Sequence, residues 1–133
     1  MIIQRKFTGS DMYAIDSTIY LSEYAKTEVR YSTNSWTIVS GSKVVCIWGA
    51  VSSWDSRAVL WGIMAHGSKH CMKQIFQFAK STIDAMTETR LELQVLCGFG
   101  PGIRFAEMLG FNLECVMRKY SQGKDALLYA RIQ

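Results

Sequence analysis

Apolar residues recur along this chain with two periods. In Arg90-Leu91-Glu92-Leu93-Gln94-Val95-Leu96 they alternate, placing Leu91, Leu93 and Val95 on one side of a half-buried strand. Further on the N-terminal side, Cys71, Met72, Ile75, Phe76, Ala79, Ile83 and Met86 recur at three- and four-residue steps. That spacing predicts the longest amphipathic helix, from about Ser68 to Met86, with Lys69, Lys73 and Lys80 on its polar face. Ala58 to Met64 is apolar almost throughout, as a strand buried on both faces would be. Trp36 to Ser40 and Val44 to Val51 are rich in β-branched and aromatic residues around Gly41-Ser42-Lys43, which predicts a hairpin. Ser52 to Ser56 reads as a polar turn, and so does Val29 to Asn34.

The remaining elements follow from turn and cap residues. Ile2 to Phe7 fits an edge strand, and Ser10 or Asp11 is placed to cap a helix from Met12 to about Ala25. Gly98-Phe99-Gly100-Pro101-Gly102 opens a short helix, since proline is tolerated in a first turn. Gly110 closes that helix, because the residue past a helix end often needs positive φ. Leu113 to Tyr120 and Asp125 to Ile132 are two final strands, joined by a hairpin loop Ser121-Gln122-Gly123-Lys124. The order is β–α–β–β–β–α–β–α–β–β. The long central strand–helix–strand connection suits a right-handed crossover between parallel strands. The expected class is α/β (α+β): a mixed, mostly antiparallel sheet with a central parallel pair and helices on both faces.

Composition narrows this to one domain, residues 1–133, because 49% hydrophobic and 20% charged residues support a packed core and a single proline leaves no linker. The longest uncharged apolar stretch, Val44 to Val51, is far too short to span a bilayer, and Met1 to Lys6 lacks the features of a signal peptide. A cytoplasmic protein is expected. The net charge of +4 favours an anionic ligand such as a phosphate-bearing cofactor, while an ordinary solvated surface accounts for it equally simply. Nucleic acid is not expected as a partner, since the lysine stripe has no interleaved exposed aromatics for base stacking. Cys46, Cys71, Cys97 and Cys115 lack metal-ligand spacing and read as buried thiols, with Cys71 and Cys97, beside loops, the two candidates for reactivity.

Taken together, the element order and Gly102-Ile103-Arg104-Phe105-Ala106-Glu107-Met108-Leu109-Gly110-Phe111 resemble the GNAT superfamily of N-acetyltransferases, whose short helix often reads Ala-Ile-Arg-Leu-Tyr-Glu-Lys-Leu-Gly-Phe. The closing hairpin, Glu114 to Tyr120 and Asp125 to Arg131, also resembles the end of that domain. More narrowly, the chain is similar to small GNAT-like proteins of tailed bacteriophages, some acetyltransferases and some virion or scaffold-type proteins. The resemblance implies acetyl-CoA as cofactor and a primary amine on a protein or small molecule as acceptor. It equally admits a non-catalytic protein acting by protein–protein contact in a virion, scaffold or host-inhibitory role. A phage protein would lie in the host cytoplasm or the virion. A homodimer through the terminal hairpin stays open.

The resemblance also distributes roles. In the family the gap between the fourth and fifth strands receives the pantetheine arm, and a loop after the fourth strand, often Gln/Arg-x-x-Gly-x-Gly/Ala, cradles the pyrophosphate. Met64-Ala65-His66-Gly67-Ser68-Lys69 occupies that register here, followed by His70; Gly67 alone matches, and Lys69, His70 and Ser68 are the groups that would meet phosphate. Ser68 reads equally well as an N-cap. The tyrosine that often serves as general acid is replaced by Ala106. The fourth strand has no carboxylate, so Glu92 is the candidate base, with a solvent-facing strand carboxylate paired to Arg90 or a lysine as its structural reading. Of the tryptophans, Trp48 and Trp61 are expected in the core and Trp54 on the surface, where it would mark a partner face.

Overall fold

The computed structural model describes residues 1–16, 32, 34–54 and 56–133. Seven strands follow the order β1-β2-β3-β4-β5-β7-β6 in one sheet. They are β1 (Ile2–Lys6), β2 (Asn34–Ser40), β3 (Lys43–Trp54), β4 (Arg57–Met64), β5 (Arg90–Leu96), β6 (Asn112–Ser121) and β7 (Lys124–Ile132). The described α-helices are α1 (Asp11–Ala14), α2 (Met72–Asp84) and α3 (Gly100–Met108). β4 and β5 run parallel, while β1–β2, β2–β3, β5–β7 and β6–β7 are antiparallel. The expected class is therefore the observed one.

The chain forms two compact units, Met1–Val51 with Trp61–Ala85, and Ser52–Leu60 with Met86–Gln133. In the first, alternation along β1 sends Gln4 and Arg5 to opposite faces. Gln4 donates from Nε2 to Thr82 Oγ1 on α2 at 3.1 Å and accepts at Oε1 from Trp48 Nε1 at 2.9 Å. Arg5 and its cross-strand neighbour Thr37 instead bond Asp11 of α1. Within this unit, then, α1 and α2 cover opposite faces. Ile75, Ala79 and Ile83 form the buried stripe of α2; Ile38, opposite Gln4, is buried on that face, and Ile47, opposite Thr37, is buried on the other. Trp36 and Trp48 stack with ring centroids 4.5 Å apart.

In the second unit the parallel ladder runs from Arg57↔Arg90 to Val59↔Glu92. α3 lies over the Leu91–Leu93–Val95 face of β5, where the Cβ position of Gly102 is 2.9 Å from Val95 Cγ1. The helix closes in a Schellman motif: Phe111 N–H donates to Ala106 O, Gly110 N–H donates to Glu107 O, and Gly110 holds φ +87°. Buried Phe111 and Ala106 supply the apolar contact beneath it.

Four expectations need correction. The stretch from Ser52 is not a turn: β3 runs on to Trp54, with Ser52, Ser53 and Trp54 polar or exposed because the strand end is solvated. The first helix ends at Ala14, with Ile15 extended at ψ 126°, and the rest of the expected Met12–Ala25 span, from residue 17, lies outside the described residues. The long helix begins as a 3-10 turn, Ser68–Cys71, before becoming α-helical at Met72. The last hairpin turns on two residues rather than four, Ser121 pairing with Lys124 across Gln122 (φ +49°) and Gly123 (φ +76°). Two positive φ values in succession match the twist of the flanking strands.

Candidate functional site

The loop after β4 is held from below. Ala65 N–H donates to Val45 O at 3.0 Å, His66 N–H to Asp16 O at 2.7 Å, and Ser68 N–H turns back to Ala65 O at 3.3 Å. Gly67 stands at φ +76°, and a Cβ added there would meet nothing within 4 Å. This is an open position that only a glycine leaves empty, at the start of a helical segment whose first N–H groups lack intrahelical acceptors. Gly67 and Lys69 N–H have no carbonyl partner among the described residues. His66, Gly67, Lys69 and His70 are exposed, Met64 is half-buried, and Ala65 and Ser68 are buried. Ser68 is not an N-cap: Gly67 holds that position without a side-chain cap, and Ser68 is the first residue inside the 3-10 turn. The donor set therefore suits a phosphate group, through backbone N–H groups, a lysine and two imidazoles, with Ser68 withdrawn from it.

Glu92 has a different setting. It is 6% exposed, and its Oε2 accepts from Arg57 Nε and from Arg90 Nε, the latter at 2.7 Å. Its Oε1 accepts from Arg57 Nη2 at 2.9 Å. Arg57 is further fixed by donation to Ser53 Oγ and lies over the Trp54 ring. Arg90 continues the chain of charges to Glu114. The hydrogen bonds from Arg57, then those from Arg90, hold the Glu92 carboxyl below the usual carboxylate range although burial opposes them. A carboxylate so held is a weak base. The expected partner Arg90 is present, but Glu92 is not solvent-facing: a second partner, Arg57, arrives from the parallel strand and lets the carboxylate be buried.

Ala106 is fully buried against the C-terminal turn of α3. Its methyl group packs and has no proton to give. Cys46 and Cys71 are buried as expected, and burial pushes the Cys46 thiol up to about 12. Cys97 and Cys115 are exposed, against expectation, because each sits where β-structure meets solvent. Trp48 is buried, Trp61 is half-buried, and Trp54 is 61% exposed. Among the described residues, no group of three or more His, Cys, Asp or Glu is placed to hold a metal ion. Likewise, among them no helix is long and apolar enough to cross a membrane.

Sequence reasoning overlooked a depression of about 650 Å³ in the second unit, lined by Leu96, Cys97, Gly98, Phe99, Gly123, Lys124 and Asp125. Two glycines in separate turns were its only signal in the sequence.

No family model matches the sequence, and no curated protein matches it. Solved structures do match. Ard1 from Thermoplasma volcanium superposes with a TM-score of 0.81 at 15% identity, over 98% of this chain and 97% of that one. The fold is that of the GNAT acetyltransferases. The ribosomal-protein-S18-alanine N-acetyltransferase from Escherichia coli shares the GNAT fold at TM-score 0.77 and 16% identity, over 99% and 94% of the two chains. A GNAT family acetyltransferase from Elizabethkingia anophelis with acetyl-CoA bound shares it at TM-score 0.77 and 8% identity, over 99% and 98%. At these identities the likeness is one of fold.

Proposed function

We propose that this chain is an acetyl-CoA-dependent N-acyltransferase acting on a primary amine of a protein or small molecule. The observation that carries the reading is the loop at Gly67, where open space lies beside backbone N–H groups that have no carbonyl partner among the described residues. Two neighbours of the same fold, from Elizabethkingia anophelis and Bacillus subtilis, were solved with acetyl-CoA or CoA bound, which supports it further. In this reading Gly67 and Lys69 N–H would hold the pyrophosphate, the Lys69 ammonium would add favourable charge, and the His66 and His70 rings would offer N–H donors. Met64 ends the strand that sets the loop, Ala65 opens the loop, and the Ser68 N–H bonds back to Ala65 O. Acetyl-CoA, when bound, supplies the acetyl group as an activated thioester.

The chain's contribution to the transfer is then mainly orientation. Glu92 is the carboxylate that the family pattern nominates as base, but two guanidinium groups occupy its oxygens. Ala106 has no proton to donate. The acceptor must therefore arrive as the neutral amine. At saturating acetyl-CoA and fixed, subsaturating acceptor, turnover should rise with pH up to the acceptor's own pKa.

The same two residues favour a second reading, in which the GNAT fold serves protein–protein contact without turnover. Acetyl-CoA titration against melting temperature separates the two. At 100 times its dissociation constant the cofactor adds about 2.7 kcal/mol of stability. An unchanged melting temperature at millimolar acetyl-CoA would sink the enzyme reading. If binding is observed, Gly67→Val should remove it, and retained binding in a folded variant would place the phosphate loop elsewhere.

A further inference from the structure

We infer that two copies of this chain pair through β6, antiparallel and centred on Val116, so that the sheet runs on from one copy into the other. The inference stands apart from the acyltransferase reading.

Three observations carry it. The first is the edge itself. β6 ends the sheet, so its outer main-chain groups have no strand partner among the described residues. Every residue of β6 is exposed except Met117, which is half-buried. Leu113 and Val116 are 52% and 50% exposed. They pair with Tyr129 and Leu127, which pair in turn with Leu93 and Val95, so both lie on the face that α3 covers. Proteins usually blunt a free edge with charge or kinks, yet the middle of this one is Cys115-Val116-Met117.

The second is the register. β6 leaves its regular pairing with β7 on both sides of that segment, between Leu113 and Cys115 and between Met117 and Ser121. On the far side Lys119 stands at φ +51°, in the left-handed region that breaks a strand. The regular edge is therefore short and centred on Val116. Main-chain groups alternate along a strand, so the two-fold axis of an antiparallel pair passes through a residue and not between two. With the axis at Val116, Cys115 to Met117 of one copy lie opposite Met117 to Cys115 of the other, and neither kink meets regular strand. A two-fold axis also closes the contact at two copies, so the edge does not seed a fibre.

The third is charge. In that register Glu114 faces the partner's Arg118, and the pair occurs twice. Arg118 is exposed and has no ion-pair or hydrogen-bond partner among the described residues. Arg90 fixes the Glu114 carboxylate from within its own chain, and a carboxylate has room for a second guanidinium. Shifted by two residues either way, Glu114 would face the partner's Val116 or the partner's Tyr120. Centred on Glu114 or on Arg118, like charges would meet. The sequence thus favours one register over its neighbours.

So short a ladder makes a small interface and a weak, reversible dimer. Analytical ultracentrifugation of the whole chain from about 10 μM to about 1 mM should show a monomer–dimer equilibrium. Val116→Lys sets two ammonium groups face to face, and Arg118→Glu or Glu114→Arg sets like charges opposite at two places. Each should weaken dimerisation by about tenfold or more. Mixed in equal amounts, the Arg118→Glu and Glu114→Arg chains should pair again, because each then meets the opposite charge. That recovery excludes misfolding as the cause of the losses. With Cys97→Ser and Cys115→Ser in place, Val116→Cys should form an intermolecular disulfide on mild oxidation, since opposed Cα atoms lie about 5 Å apart. Leu113→Cys in the same background should not. A chain still monomeric at about 1 mM would overturn the inference and leave the edge to an extended segment of another protein. Dimers indifferent to these substitutions, charge variants that stay apart when mixed, or a disulfide from Leu113→Cys and not from Val116→Cys would overturn it too.

Discussion

At the scale of single residues, the strongest local commitment in the chain is Asp11. Its carboxylate receives two bonds from Arg5, at 2.8 and 2.9 Å, one from Thr8 N–H at 2.9 Å and one from Thr37 Oγ1 at 2.8 Å. Asp11 reaches back to the Thr8 N–H three residues earlier, while Ser10, at the N-cap position of α1, makes no side-chain cap bond. The expected helix cap by Ser10 or Asp11 is not formed: Asp11 is the first residue of α1 and spends its carboxylate on Thr8 and on partners from β1 and β2, which only strand pairing brings in. Asp11→Asn should cost about 2 kcal/mol, the loss of a charged acceptor discounted for the partly solvated Arg5. Equilibrium denaturation at pH 7 checks this, and a change within error would reduce Asp11 to a surface residue. Glu92 shows the same limit of sequence reading. Alternation marked it as lying off the Leu91–Val95 face, yet its second guanidinium, from Arg57, lies 35 positions away along the chain.

At the scale of elements, the segment from Gly98 to Phe111 was the most readable part. Proline in the first turn of α3 and glycine past its end both take their expected places. Gly110→Ala tests this directly. The added Cβ would meet Arg131 Cδ at 3.7 Å and Nε at 4.0 Å, ordinary contacts. The cost is therefore conformational, about 1 kcal/mol for a left-handed alanine, or roughly 4 °C in melting temperature. A neutral substitution would mean that the helix end relaxes into another cap. The errors at this scale share a cause. Ser52 and Ser53 looked like a turn because they are polar, but a strand end in water is polar too. The 3-10 turn at Ser68 keeps the helical spacing of its apolar residues, so periodicity does not distinguish it from the α-helix that follows.

At the scale of the whole molecule, acid should be the solvent condition that exposes these networks. Asp11 and Glu92 are both held below the ordinary carboxylate range, chiefly by hydrogen bonds from Arg5 and Arg57 respectively. A depressed folded pKa means that the unfolded chain binds more protons in the intervening window. The stabilisation is thus complete above the unfolded value of about 4 and is lost as pH falls through the lower folded value. Stability measured by denaturation should vary little with these groups between neutrality and about pH 5 and decline below about pH 4. The decline should be shallower in Asp11→Asn and in Glu92→Gln, each starting from a lower plateau. A pH dependence unchanged in both variants would remove these carboxylates from the account.

Taken alone, the sequence determined the order of the elements seen among the described residues, the α+β class with its parallel pair, the helix stop at Gly110 and the glycine at the head of the candidate phosphate loop. These depend on near neighbours: period, cap residues and φ preferences act over a few positions. Only the tertiary structure decided which charges meet, which thiols are wet, how β3 ends and where a depression forms. Those depend on strand register, which joins Arg57 to Glu92 and Cys97 to Asp125 and leaves no mark in the residues between them. The short helix at Gly98–Phe111 belongs to both sides of that division: its ends were written locally, while the exposed Phe99 ring found its seat only once Gly102 and Val95 were brought beneath it.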